Sequence, residues 1–97
     1  MLQKSFDVNW RKQILAFQLL ALLFTKKRRP KSGLKAAYHA QTIIGTLDET
    51  NERDLDYMLA VHTMTGYLLL LSERPKEAFD FLELSERAAQ KLSNFRT

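Results

Sequence analysis

Sliding the chain by 45 places lays Arg29-Pro30-Lys31 over Arg74-Pro75-Lys76. The match runs on in both directions. Upstream, Ile14 meets Leu59, Ala16 meets Val61, Leu19 meets Met64, Ala21 meets Gly66, Leu23 meets Leu68 and Phe24 meets Leu69; downstream, Ala37 meets Leu82 and Ala40 meets Ser85. Apart from Ala37 on Leu82, small residues mostly fall on small and large on large, so one structural unit is used twice, about residues 8–47 and 51–92 of a single domain spanning 1–97. A repeat of this kind restricts the fold strongly, because each unit buries its outer face only against the next.

Within each copy the apolar spacing is helical. Trp10, Ile14, Phe17, Ala21 and Phe24 step by four and three and form one face, and Leu15, Leu19 and Leu22 form a second, so the first helix is apolar over most of its circumference. Pro30 suits a first helical position, and Leu34, Ala37, Tyr38, Gln41 and Ile44 carry a second helix to Gly45, expected as its stop. Asp48-Glu49-Thr50-Asn51 supplies capping side chains, and the acids at 52, 54 and 56 suit the positive end of a third helix through Leu55, Met58, Leu59, Met64, Leu68 and Leu71. Pro75 opens a fourth, with Ala78, Phe79, Leu82, Ser85, Ala89 and Leu92 as its apolar face and Phe81, Leu84 and Phe95 exposed. The expected fold is all-α, four helices in two antiparallel hairpins joined by short loops.

These residues resemble the tetratricopeptide repeat (TPR) family. Its first-helix pattern stands here as Phe17-x-x-Leu20-Ala21-x-x-Phe24 and, more loosely, as His62-x-x-Thr65-Gly66-x-x-Leu69. Its second-helix pattern stands as Gly33 to Ala37 and Ala78 to Leu82, with the small residues Ala40 and Ser85 seven positions beyond Gly33 and Ala78. A side chain larger than alanine holds crossing helices apart, so Ala21 against Gly33, and Gly66 against Ala78, are the expected close approaches. The period of 45 exceeds the family's usual ~34, a closing proline is replaced by Gly45 and Gln90, and the second copy lacks both aromatics, which makes this a long-helix variant. The resemblance implies a right-handed stack of helical hairpins whose first helices line a groove for a partner protein. On that mapping Leu15, Gln18, Leu22, Thr25 and Lys26 face the groove from the first helix, and Ala60, Thr63, Tyr67, Leu70 and Leu71 from the third. Family members that capture chaperone tails carry Lys and Asn at groove positions held here by Gln18, Leu22, Thr63 and Tyr67, so that ligand is not expected. A bland alternative places Leu15, Leu22, Leu70 and Leu71 in the core.

Composition narrows the chemistry. With 45% hydrophobic residues and five Gly and Pro together, the chain has the material for a core. It has no cysteine, hence no disulfide or thiolate metal site, and this suits a reducing compartment, cytoplasm or nucleus. The apolar run from Ile14 to Phe24 would rise only about 16 Å as a helix, half the thickness of a bilayer core. Lys26, Lys27, Arg28 and Arg29 stand where a secretory signal would need small residues for cleavage. His39 and His62 fall on different helices, and no HExxH, glycine-rich phosphate loop or nucleophile elbow is present, so neither enzyme activity nor any cofactor or metal is expected. His62 takes the place of an aromatic and reads as a packing residue.

Charge is unevenly divided: residues 1–47 carry nine basic groups and one acid, net +8, and residues 48–97 carry six basic groups and ten acids, net −4. The segment Lys26-Lys27-Arg28-Arg29 is the most basic, either as a solvated loop, a dock for an acidic protein, a localisation signal or a nucleic-acid contact. No aromatics are interleaved for base stacking, which disfavours the last. The expected function is a protein-interaction scaffold with partner-binding residues Gln18, Leu22, Lys26, Lys27, Arg28, Arg29, Thr63, Tyr67 and Leu70. The alternatives are a self-associating helix bundle, as a homodimer or a length of a longer repeat array, and a nucleic-acid module using residues 26–35.

Overall fold

A proline at the first turn of a helix gives up an N–H that has no partner there and brings a φ already suited to the helix. Pro30 and Pro75 accordingly open α2 (Pro30–Ile44) and α4 (Pro75–Arg96), preceded by α1 (Leu2–Lys26) and α3 (Glu52–Leu71). The computed structural model describes residues 2–96, with side chains from Trp10 onward, and among them are four helices and no strand. α1 therefore begins ahead of the boundary near residue 8 that the repeat suggested. At the start of α3 the Asn51 side chain accepts from the Asp54 N–H at 3.2 Å, with Glu52 and Asp54 in the first turn. Asp48 folds the connector by accepting from the hydroxyl and N–H of Thr50, and these bonds hold its carboxyl below the ordinary value. Gly45 follows the last residue of α2 as expected, but with φ −63°, so its freedom to turn left-handed is unused.

The left-handed turns lie elsewhere. Arg28 has φ 57° and Glu73, its 45-place counterpart, φ 61°. In both loops the third residue past the helix bonds back five residues: the Arg29 N–H donates to the Phe24 carbonyl at 2.7 Å, and the Arg74 N–H to the Leu69 carbonyl at 2.9 Å. This is a Schellman ending used twice, with a charged residue where glycine is favoured. Glu73→Gly should relieve the left-handed backbone and remove a negative charge from a helix C-terminus, raising stability by about 1 kcal/mol. A melting temperature unchanged or lower, instead of several degrees higher, would refute this.

Two linked clusters form the core. One gathers Trp10 and Ile14 of α1, Ile43 and Ile44 of α2, Leu55 and Val61 of α3 and Leu92 of α4. The other gathers Ala21, Leu34, Ala37, Leu68, Leu69 and Ala78 near the two loops. The loop-proximal half of α1 thus meets the loop-proximal half of α2, so these helices run antiparallel, while α1 and α3 run parallel, with Trp10 edge-on to Tyr57 at 5.0 Å. α3 is central, its backbone approaching α1, α2 and α4, whereas α4 approaches α3 alone.

The expected close approaches are present. A Cβ built on Gly33 would lie 3.5 Å from the Ala21 carbonyl oxygen, and one on Gly66 3.4 Å from that of Ala78. α4 is turned from its expected orientation: Ala78, Ser85, Ala88 and Leu92 are buried, Phe81 is half-buried beside Tyr38 and His62, and Phe79 and Ala89 face outward. The spacing of Phe79 and Phe81 allows either ring inside, and the contact with α2 and α3 selects Phe81.

Candidate interaction surface

Polar groups buried between helices must pair with one another. At the α2–α3 contact the Gln41 amide nitrogen donates to the Thr65 hydroxyl and to His62 Nδ1, each at 3.0 Å, and Thr65 donates onward to the Val61 carbonyl at 2.8 Å. This small network was hidden in the sequence, where Gln41 read as part of an apolar series. Burial pushes the pKa of the half-buried His62 below its ordinary value, and an amide N–H aimed at Nδ1 also opposes protonation. The sign follows: the unfolded chain takes up a proton near pH 6.5 before the folded one does, so stability is full above that pH and falls as pH drops below it. The stability difference between the wild type and His62→Gln should therefore change between pH 7 and pH 5, by at most about 1.4 kcal/mol per pH unit. Parallel pH profiles would remove this role of His62.

Parallel packing of α1 and α3 leaves a depression between their outward faces. It has a volume of about 330 Å³, with Gln18, Leu22 and Thr25 on one wall and Met64 and Tyr67 on the other. Thr25 turns its hydroxyl back to the Ala21 carbonyl at 2.8 Å, which leaves its methyl to the wall. Leu15, Leu22, Leu70 and Leu71 are all exposed, so the reading that placed them in the core is overturned. Tyr67 is 52% exposed, a large ring with a free edge.

The sequence-expected site residues separate into three groups. Gln18, Leu22 and Tyr67 share the depression. Thr63 and Leu70 lie outside its lining, and the Thr63 hydroxyl donates to Ser85 of α4 at 3.1 Å. Lys26 closes α1 one turn beyond Leu22, and Lys27, Arg28 and Arg29 form the loop; all four are exposed, and among the described residues none is paired with an acid. They make one end of the depression electropositive.

α1 also shows apolar surface that its periodicity did not locate. Beside Leu15, Leu19 and Leu22, the chain exposes Leu20 and Leu23 on the opposite flank of the same helix. Among the described residues no helix is long and apolar enough to cross a membrane, and no three His, Cys, Asp or Glu side chains gather as a metal-ligating group. No family model, curated protein or solved structure matches this chain.

Proposed function

We propose that this chain is a TPR-like protein-interaction module, a right-handed stack of two helical hairpins that catalyses nothing and holds a segment of a partner protein between α1 and α3. The observation that carries this reading is the depression in which Gln18, Leu22 and Tyr67 meet, walled by the exposed apolar surfaces of Leu22 and Tyr67 and lined as far as Thr25, the residue before Lys26. Contiguous exposed apolar surface with a polar margin is characteristic of binding faces, and an exposed tyrosine is a favoured anchor. The unpaired basic loop favours a partner segment with acidic residues and would raise its association rate. The lack of cysteine and the basic cluster suit cytoplasm or nucleus.

A library of displayed helical and extended peptides, selected on the wild type, tests this. Selected peptides should combine apolar anchors with acidic residues and lose at least tenfold in affinity with Tyr67→Ala, as expected for an anchor worth more than about 1.4 kcal/mol. Neutralising Lys26 to Arg29 should slow association and flatten its salt dependence. A selection that yields no binder, or binders indifferent to Tyr67, would overturn the reading.

A further inference from the structure

The 45-place repeat shows what is missing from each end of the molecule. α3 buries one flank against α2 through Met58, Val61, Thr65 and Leu68. The counterparts of these residues in α1 are Gln13, Ala16, Leu20 and Leu23, and all four are exposed. α2 meets α3 through Leu34, packed with Leu68 and Leu69, through Gln41, bonded to Thr65, and through Ile44, packed with Leu55 and Met58. Their counterparts in α4 are Phe79, Glu86 and Ala89, again all exposed. The contrast is large at the aromatic position: Leu34 is 3% exposed and Phe79 62%.

We infer that a second copy of this chain covers these surfaces, α1 of one molecule lying on α4 of the next as α3 lies on α2 within the molecule. Three observations select this occupant. The interface continues one already present in the fold, with both halves displayed on every copy. Charge favours the same alignment: Lys26 ends α1 and Lys27 follows it, and the first turns of α4, which that end would overlie, carry Asp80 and Glu83 against the single base Lys76. Leu23 against Phe79, the counterparts of Leu68 and Leu34, supplies the dehydrated centre. Such a contact uses different patches on the two partners, so it grows head to tail instead of closing as a two-fold dimer. Two pairings of the internal interface are not repeated: Glu86 replaces Gln41 and would face Leu20 where Gln41 faces Thr65, and Ala89 with Gln13 replaces Ile44 with Met58. The unmatched carboxylate weakens the contact and makes it reversible.

This surface lies on the flank of α1 away from Gln18 and Leu22, so the two readings fail separately. Sedimentation equilibrium of the wild type from about 10 µM to about 1 mM should show the mass rising from 11.3 kDa past that of a dimer, and falling again at high salt. Leu23→Glu and Phe79→Glu, both at exposed positions and checked for unchanged helical circular dichroism, should each remain monomeric. Mixed in equal amounts they should form a one-to-one dimer, because each retains the half that the other lacks. Glu86→Leu should associate more tightly than the wild type, at least tenfold. Tyr67→Glu should leave the association unchanged. A wild type that stays monomeric to about 1 mM overturns the inference. So does a Phe79→Glu variant that still dimerises, which would mean face-to-face pairing of α1, or two folded variants that fail to complement.

Discussion

Leu68→Ala should cost about 3 kcal/mol, a large share of the roughly 5–15 kcal/mol that stabilises a domain of this size. Leu68 is 1% exposed, and its Cδ2 would lie 3.1 Å from a Cβ on Gly33, so its truncation leaves a hole where α1, α2 and α3 converge. Urea unfolding at micromolar concentration should show a lower midpoint at unchanged slope. Leu23, the counterpart of Leu68 one repeat earlier, is 46% exposed. Leu23→Ala should cost less than about 0.5 kcal/mol, in line with an exposed site. Equal losses at the two positions would contradict the packing described. In the Leu68→Ala background, Gly33→Ala should recover part of the loss, because the new methyl enters the space vacated.

Gly66→Ala should have the next largest effect, a loss of about 1–2 kcal/mol against the gain of about 1 kcal/mol that alanine normally brings to a helix interior. The added Cβ would fall 2.8 Å from Leu82 Cδ2 and 3.0 Å from Leu82 Cγ. Cγ lies on the χ2 axis, so turning the methyl groups of Leu82 about Cβ–Cγ cannot clear it. The first repeat has Ala21 and Ala37 at the corresponding positions, a larger residue in place of Gly66 and a smaller one in place of Leu82. A double-mutant cycle with Leu82→Ala should therefore show the pair to be less destabilised than the sum of its singles, by about 1 kcal/mol. Gly45→Ala is the control: its φ is −63° and the nearest atom to a new Cβ is a carbonyl oxygen of its own turn at 3.5 Å, so a gain of several tenths of a kcal/mol is expected. A stabilising Gly66→Ala would show that α3 and α4 have room to separate.

The repeat also explains how one sequence pattern yields two different surfaces. Thr65 and Leu20 are counterparts, as are Leu68 and Leu23, yet the copy in α3 is covered and the copy in α1 is open. The presence of a neighbouring helix, and not residue type, decides burial. The same holds for Phe79 against Leu34 in the second helices.

Some of this was fixed by local chemistry and could be read without coordinates. Pro30, Pro75 and Asn51 mark helix starts because their effects act within one turn. Gly33 and Gly66 mark close approaches because few other reasons place glycine within an apolar helix. For Leu22 the helical spacing left groove and core both open, and the structure shows it exposed, as it does Tyr67, with Gln18 half-buried. Other features depended on the assembled chain. The two Schellman turns contain Arg28 and Glu73 instead of glycine, so no local signal announced them. α1 is apolar almost all round, and a pattern with no polar side cannot say which side turns inward; contact with α2 and α3 chose Trp10, Ile14 and Ala21. His62 and Thr65 lie 21 and 24 residues from Gln41, and the three become a network only when α2 meets α3. Local sequence determined where α2, α3 and α4 begin, because capping and proline geometry are short-ranged; tertiary packing alone decided which apolar faces were covered, because covering a face requires a neighbour distant in the chain.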